Sequence, residues 1–419
     1  MDHIINLLQH KKQIILQGPP GTGKTYLAKN IAEKMIYGEV SLDKTLQKKR
    51  LQSADQFALV QFHPSFSYED FVRGISAKSE GGKIIYETEN KLLTTFAEKA
   101  NYNIRSARID PQELSREQLV EKILMRFAER IQVHLHEYGP FEITKAVAIV
   151  EVEEDAFRYA GIGTWKASQR MKFKDLIHAQ LQGITTRQDL KNLAEVSGLA
   201  KVHASYYIKV LNRFQKEFGQ ELQQTSLSEV PQPSVQPYLL IIDEINRANL
   251  PAVLGELIYA LEYRDEVVNS MYVLDGDSSL VLPENLYIVG TMNTADRSVG
   301  HIDYAIRRRF AFVDILPEAR LIQHPRAKVL FAQVAQLFVT TQGDQLVNAK
   351  YLSPEFDYKE VQLGHSYFIF NEPDESAQRE ALLRRLNFEI LPILQEYLRD
   401  GILLDLAKPE IEKIARFEY

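Results

Sequence analysis

The sequence contains no cysteine, so neither a disulfide framework nor a thiolate metal site can form in its 419 residues. It also lacks any run of about 18 unbroken apolar residues, which a membrane-spanning helix requires. The first residues, MDHIINLLQHKKQ, do not follow the basic, apolar and small-residue order of a signal peptide. We therefore expect a soluble, cytoplasmic protein that does not interact with a membrane.

An overall excess of basic charge is absent as well. The chain has 50 Lys and Arg residues against 56 Asp and Glu residues, which gives a net charge of −6. This balance argues against a chain coated with nucleic-acid-binding charge, although it does not exclude a local basic face. The length exceeds one domain of about 150 residues, so we expect two or three domains.

Short apolar runs without polar interruption recur along the chain. Such runs are typical of strands in a parallel sheet that helices cover on both faces. The sequence therefore predicts an α/β protein with a parallel sheet. The runs occupy residues 13–17, 57–62, 238–243, 286–292 and 310–315.

Too many residues separate the second and third of these runs for a simple crossover. We predict an inserted α+β domain at 101–230, which divides a large domain into residues 1–100 and 231–317. The segment NYNIRSARIDP breaks the helical pattern at the near end, and a segment with three prolines, 223–237, marks the far end. The chain is predominantly helical after this, so we predict a helical C-terminal domain at 318–419.

The predicted insertion contains a strongly basic tract. Residues 156–216 include 11 Lys and Arg residues but only 3 Asp and Glu residues, a local net charge of +8. Within it, 186–214 consists of two amphipathic segments that meet at Gly198, a pattern that resembles a helix-turn-helix. Ahead of the tract, Ser115 begins a predicted long helix and residues 145–153 alternate like a strand. Contact with DNA or RNA is one hypothesis for the tract.

A glycine-rich octet lies between the first predicted strand and the first long helix. It fits the phosphate-loop pattern G-x-x-x-x-G-K-[ST] and consists of Gly18, Pro19, Pro20, Gly21, Thr22, Gly23, Lys24 and Thr25. Backbone N–H groups of such a loop bind phosphate oxygens, Lys24 contacts the terminal phosphates and the Thr25 hydroxyl binds Mg²⁺. We include the adjoining Tyr26 among the nucleotide-binding candidates.

The apolar run at 238–243 ends in two acids, Asp243 and Glu244. In a nucleotide-hydrolysing site, the first acid holds Mg²⁺ through water and the second polarises the attacking water. Asn293 follows the run at 286–292, where its amide is placed to orient that water. An alternative is that the two acids only cap a strand.

Arg307, Arg308 and Arg309 precede Phe310. A guanidinium from a neighbouring subunit commonly stabilises the charge that builds on the phosphoryl oxygens. One strand edge cannot direct all three arginines at one phosphate, so at least one of them belongs to a solvated basic face.

Together these residues resemble the AAA+ motor of the McrB family, the nucleotide-hydrolysing subunits of modification-dependent restriction systems. The resemblance covers residues 1–100 and 238 to about 400, and the stretch Met292–Asp296 is its most specific part. The other segments that carry it are QFHPSFSYEDFVRGI, YETENKLLTTFAEKA, IIDEINRANLPAVLGELIYALE, TMNTADRSVGHIDYAIRRRFAF, QLGHSYF and NFEILPILQEYL.

The resemblance implies a homo-oligomeric ring, commonly a hexamer, with nucleotide sites between subunits and a preference for GTP over ATP. It also implies stimulation by a McrC-type partner that carries the nuclease, and action on DNA through the insertion or through that partner. The matching site residues are Asn293 and Asp296 in the hydrolysis signature, Arg297, Arg308 and Arg309 at or near the interface, and His365 in the lid.

Two departures from the family limit what is carried over. Only about 17 residues precede Gly18, where family members have a DNA-reading domain, and the insertion is not a standard part of the motor. The insertion could replace the DNA reader, contact the partner or thicken the ring. Two other functions stay open: an ATP-dependent remodelling chaperone of the MoxR type, and a nucleotide-gated nucleic-acid adaptor in which hydrolysis is incidental.

Overall fold

A computed structural model describes residues 1–80, 83–109, 111–162, 168–224, 233–274, 276–296 and 302–419. The first part of the chain contains two strands of the main sheet, a hairpin and five helices. In chain order these are α1 (Asp2–Lys11), β1 (Gln13–Gly18), α2 (Lys24–Tyr37), α3 (Lys44–Ser53), β2 (Phe57–Gln61), α4 (Tyr68–Phe71), β3 (Arg73–Glu80), β4 (Lys83–Asn90) and α5 (Leu92–Arg108).

The inserted segment follows α5 and has its own sheet, in the order β5-β6-β7-β8 with antiparallel pairs. Its elements are α6 (Pro111–Tyr138), β5 (Phe141–Thr144), β6 (Val147–Val152), β7 (Ala156–Gly161), β8 (Gln169–Lys172), α7 (Phe173–Leu181), α8 (Arg187–Asn192), α9 (Gly198–Val202) and α10 (Ala204–Gln224).

The chain then returns to the main sheet. The elements of this part are β9 (Tyr238–Asp243), α11 (Leu250–Leu254), α12 (Leu257–Glu262), β10 (Val267–Leu274), β11 (Asp277–Val281), β12 (Leu286–Asn293), α13 (Tyr304–Arg309) and β13 (Ala311–Asp314).

The C-terminal part is mostly helical, with one small hairpin. Its elements are α14 (Pro325–Ala335), β14 (Val339–Gln342), β15 (Gln345–Asn348), α15 (Tyr358–Val361), α16 (Glu375–Arg385), α17 (Leu391–Arg399) and α18 (Lys408–Ala415). No helix in the part of the chain that the structure describes is long and apolar enough to cross a membrane.

The main sheet confirms the predicted parallel architecture. Its strands lie in the order β13-β1-β12-β9-β2, and every pair is parallel. Alternate side chains of β1 enter different cores: Ile15 packs in one hydrophobic cluster, and Ile14 and Leu16 pack in the other. Because side chains of a strand alternate between faces, helices cover both sides of this sheet. The carboxyl ends of the strands lie at one edge, where α/β proteins bind ligands.

The predicted helix break at residue 101 is wrong. Helix α5 continues from Leu92 to Arg108, because Ala100 and Ile104 extend its buried face beyond that position. The next helix, α6, begins at Pro111 rather than at Ser115, and Leu114 is already buried.

The prediction that residues 186–214 consist of two segments that meet at Gly198 is also wrong, because three helices occupy this stretch. Gly198 is not a turn between two helices but the first residue of α9. The side chain of Ser197 accepts a hydrogen bond from the Ala200 N–H and so caps α9. The Asp175 carboxylate in turn fixes Ser197, because it accepts hydrogen bonds from the Ser197 N–H (3.0 Å) and the Ser197 hydroxyl (2.6 Å).

Two contacts attach the inserted segment to the hairpins that project from the main sheet. The buried side chain of Arg158, in β7, forms ion pairs with Glu87 of hairpin β3–β4 and with Glu153. At the second contact, Gly198 lies against the turn of hairpin β10–β11, where an added Cβ would be 3.0 Å from the Gly276 carbonyl oxygen. Among the described residues, the inserted segment therefore contacts the hairpins at these two points in addition to its chain connections.

Candidate nucleotide-binding site

The phosphate loop connects the end of β1 to the start of α2. Gly21 (φ 80°) and Gly23 (φ 77°) adopt left-handed backbone conformations that disfavour any residue with a Cβ. Since α2 begins at Lys24, its N-terminal N–H groups and the positive end of its dipole face the loop. The loop therefore has the geometry that binds anions at a helix N-terminus.

The Lys24 side chain is buried under the loop. Its Nζ donates to the carbonyl oxygens of Gly18 (3.0 Å) and Pro19 (2.8 Å). Burial lowers the pKa of Lys24 to about 8, although the nearby carboxylates of Glu244 and Asp243 act to raise it. Desolvation thus affects the pKa of Lys24 more than the carboxylates do. A more strongly charged partner would stabilise the buried ammonium.

We expect this pKa to make nucleotide affinity depend on pH. A phosphate beside Lys24 raises its pKa, so binding above about pH 8 takes up a proton and weakens about tenfold per pH unit, whereas below pH 8 this group contributes no slope. Titration of a fluorescent nucleotide between about pH 7.5 and 9.5 measures the slope. The Lys24→Arg variant keeps its charge throughout and should lose this slope; equal slopes would contradict the assignment.

The phosphate loop and the acidic strand end meet in space. The Thr25 hydroxyl donates to Oδ1 of Asp243 at 2.7 Å, although the residues are 218 positions apart. The Thr291 hydroxyl, on the strand between β1 and β9, donates to the same oxygen at 2.5 Å. A hydroxyl and a carboxylate are the hard oxygen ligands that Mg²⁺ prefers, so Thr25 and Asp243 fit this ion chemically.

Glu244 has an unusual backbone conformation, with φ 53° and ψ 45° in the left-handed region. A non-glycine residue pays about 1–3 kcal/mol for such a conformation, and these residues cluster at functional sites. Two hydrogen bonds support it: the Glu244 N–H donates to the Thr291 hydroxyl at 3.2 Å, and Asn293 Nδ2 donates to Glu244 Oε1 at 2.5 Å. The predicted residues Glu244 and Asn293 are therefore in direct contact.

Arg247 is a site residue that sequence reasoning missed. Its Nε lies 3.2 Å from Glu244 Oε2, and its second guanidinium nitrogen, Nη2, lies 3.2 Å from Asp296 Oδ2. Arg247 therefore connects the predicted residues Glu244 and Asp296, which come from neighbouring strands. The Glu244–Arg247 spacing of three was visible in the sequence, but the contact with Asp296 depends on the sheet order. The predicted residue Arg297 lies outside the described residues.

The predicted arginines lie on a short helix, α13, rather than on a strand edge, and have different surroundings. Arg309 is only 10% exposed and pairs with Glu262 at 3.1 Å. Arg307 lies over the ring of Phe312, 5.3 Å from its centroid. Arg308 is 69% exposed, and its nearest carboxylate oxygen, on Glu262, is 3.9 Å away. Arg308 is thus far more exposed than Arg309.

The segment around His365 packs directly on the phosphate loop. Gly364 N–H donates to the Pro20 carbonyl and Ser366 N–H donates to the Gly21 carbonyl, both at 2.9 Å. His365 is buried between them, which lowers its pKa, and its Nδ1 accepts from the Glu318 N–H at 3.2 Å. The C-terminal helical part therefore contacts the loop through backbone groups.

A polar cavity of about 220 Å³ lies at this edge of the sheet. Tyr26 stands at its rim with half of its surface exposed. The lining unites the phosphate loop with the ends of the central strands and consists of Gly21, Gly23, Lys24, Thr25, Tyr26, Glu244, Thr291 and Asn293.

The phosphate loop, the order of the parallel strands and the helical C-terminal part that packs on the loop define an AAA+ P-loop NTPase fold. Family comparisons agree: the AAA family (ATPase family associated with various cellular activities) matches residues 14–103, and the dynein-related AAA domain matches 167–310. The McrB alpha-helical lid domain matches residues 350–407. The AAA and lid matches together support a McrB-type AAA+ protein.

Two curated relatives belong to restriction systems. The type IV methyl-directed restriction enzyme EcoKMcrB subunit of Escherichia coli K12 is 37% identical over 172 residues, which cover 39% of this chain and 37% of that protein. The type II restriction enzyme BsuMI component YdiS of Bacillus subtilis 168 is 34% identical over 89 residues, which cover 18% of this chain and 26% of that protein. The matched region thus spans less than two fifths of either relative.

Proposed function

We propose that the chain hydrolyses GTP in a homo-oligomeric ring, a hexamer, and that this turnover drives DNA translocation and activates a McrC-type nuclease partner against foreign DNA. The observation that carries the proposal is the hydrogen bond between Thr25 and Asp243. It brings the phosphate loop and the acidic strand end into one site, as nucleotide hydrolysis with a magnesium ion requires.

Each site residue has a role in this proposal. Lys24 and the loop N–H groups bind the β- and γ-phosphates, while Thr25 and Asp243 hold Mg²⁺, which when bound neutralises charge on the phosphates. Glu244 accepts a proton from the attacking water, and Asn293 orients that carboxylate through the hydrogen bond at its Oε1. Arg247 positions Glu244 from its other oxygen.

In this proposal, a neighbouring subunit of the ring supplies an arginine guanidinium to the phosphates. Arg308 is exposed on α13, whereas Arg309 is engaged with Glu262 of its own chain. We therefore assign to Arg308 the stabilisation of the transition-state charge in the adjacent subunit's site. A head-to-tail interface of this kind forms a ring when the rotation between subunits closes.

The comparisons support the choice of GTP as the nucleotide and of a nuclease as the partner. The lid domain match and the E. coli relative favour GTP over ATP, since a GTP preference is what the McrB resemblance implies. Both curated relatives are named as parts of restriction enzymes, which supports a nuclease partner and a DNA target.

Side-by-side hydrolysis assays test this function. We expect the chain with Mg²⁺ to turn over GTP faster than ATP, and a McrC-type protein encoded beside it to raise the GTP rate. EDTA should abolish both activities, since Thr25 and Asp243 would lose their ion. A faster ATP rate that the partner leaves unchanged would favour a remodelling ATPase instead.

A further inference from the structure

Some of the basic residues of the inserted segment form internal ion pairs, and others lie on the outer face of α10. Arg158 and Arg170 are used internally: Arg158 pairs with Glu87 and Glu153, and Arg170 pairs with Glu153 at 2.6 Å and with Asp155. These two arginines therefore contribute no free positive charge at the surface. The remaining cations determine which anion the insertion attracts.

Helix α10 carries cations on its outer face. Lys209, Arg213 and Lys216 follow one another at spacings of four and three residues, so they lie on one side of the helix, and all three are exposed. Arg187 of α8 joins them at one end, where it donates to the Ser205 hydroxyl at 3.2 Å. We call Arg187, Lys209, Arg213 and Lys216 the α10 basic row.

Carboxylates do not neutralise the α10 basic row. No Asp or Glu occurs between Ala204 and Lys216, and none of the row's cations forms an ion pair with any described carboxylate. The acids further along α10, Glu217 and Glu221, face α6 instead, where they pair with arginines. The row is thus a strip of positive charge that no described carboxylate pairs with, although Arg213 also lies over the ring of Phe141, 4.5 Å from its centroid.

We propose that the α10 basic row binds the phosphate backbone of a DNA duplex; the choice of DNA rests on the proposed function. The span from Lys209 to Lys216 is seven residues, or about 10 Å of helix, and duplex DNA places one phosphate per about 3.4 Å of each strand. Three cations therefore face about three phosphates.

The chemistry of the face favours nucleic acid over an acidic protein surface. The exposed positions of α10 between 204 and 216 are Lys209, Asn212, Arg213 and Lys216, all with side-chain hydrogen-bond donors. Phosphate backbones are bound by such Lys, Arg and Asn side chains. Protein interfaces, in contrast, have an apolar and aromatic centre, which these exposed positions do not supply.

The test removes three positive charges from the row. It compares the loss of duplex binding with that of a control variant that loses three positive charges elsewhere. One variant combines Lys209→Ala, Arg213→Ala and Lys216→Ala; the control combines Lys328→Ala, Lys350→Ala and Lys408→Ala on the exposed surface of the C-terminal part. Binding of a labelled mixed-sequence duplex of about 20 base pairs is measured by anisotropy between about 50 and 200 mM salt.

We expect the native chain to bind the duplex with an affinity that falls steeply with salt. The row variant should bind at least about tenfold more weakly, and its log–log salt slope should be smaller by about 2.7, which corresponds to three lost phosphate contacts. The control should match the native chain. Basal GTP turnover and the midpoint of thermal unfolding should stay unchanged in both variants, which separates this proposal from the proposed hydrolysis.

Three outcomes would overturn the proposal. One is a native chain that does not bind the duplex at about 50 mM salt, and another is an equal loss in the row variant and the control. The third is that the native chain binds poly-glutamate more tightly than the duplex and that the row variant loses this binding. That result would assign the row to an acidic protein partner.

Discussion

Replacing Glu244 by glutamine should abolish turnover while nucleotide binding survives. The amide cannot accept a proton from the attacking water, and removal of a general base costs about 10²–10⁴-fold in rate. Lys24, Thr25 and Asp243 keep their contacts, so affinity should change little. Steady-state phosphate release and equilibrium binding of a fluorescent GTP analogue measure the two properties separately.

A matched control for this change is Glu375→Gln, which alters an exposed acid in the first turn of α16. That variant should hydrolyse GTP at the native rate. A Glu244→Gln chain with native turnover would remove Glu244 from the mechanism, and equal losses of affinity and rate would assign it to binding alone.

Mixing variants tests whether Arg308 acts on the neighbouring subunit. Glu244→Gln and Arg308→Ala chains should each be almost inactive alone. If each site takes its glutamate from one chain and its arginine from the next, about a quarter of the sites in an equal mixture contain both native residues. Turnover should then return to about a quarter of the native value. A mixture as inactive as its components would place the arginine in the same chain.

Replacing Gly364 by alanine should separate the C-terminal helical part from the phosphate loop. An added Cβ would lie 2.0 Å from the carbonyl carbon of Gly21 and 2.5 Å from the Thr22 nitrogen, so backbone has to move. The hydrogen bond from Gly364 N–H to the Pro20 carbonyl would be strained or lost. We expect a loss of about 1–3 kcal/mol in unfolding free energy and a fall on the order of 10²-fold in turnover, because the loop is displaced.

Gly219→Ala is the control for this substitution. Gly219 lies in α10, and a Cβ there meets no atom within 4 Å. Alanine at such a helical position should stabilise the chain by about 0.5–1 kcal/mol and leave turnover unchanged. Chemical denaturation and GTP hydrolysis measure both effects. Native stability and turnover in Gly364→Ala would show that the close contact is not required.

The main sheet and the phosphate loop were predictable because their signals are local. Unbroken apolar runs define buried strands, and the octet at 18–25 combines glycines, a lysine and a hydroxyl at fixed spacing. The rule that parallel strands end at the same edge accounts for the meeting of Thr25 with Asp243. The structure thus brings together the two residues that the sequence assigned to Mg²⁺, while their roles stay predictions.

Features that depend on long-range contacts were missed or placed wrongly. Arg247 reaches Asp296 only because β9 and β12 are neighbours, which no local pattern records. The predicted helix break at residue 101 was wrong because a polar sequence can still carry buried residues at helical spacing, as it does at Ile104. Counting charges in residues 156–216 overstated the free charge, because Arg158 pairs partly with Glu87, far away in sequence.

The two anchors of the inserted segment have a mechanical consequence. A body held at one contact can rotate about it in any direction, whereas contacts at Arg158 and at Gly198 leave rotation only about the line that joins them. Hairpin β10–β11 lies in the chain directly before β12, whose last residue is Asn293. The inserted segment is therefore connected, through hairpin β10–β11, to the strand whose last residue contacts Glu244.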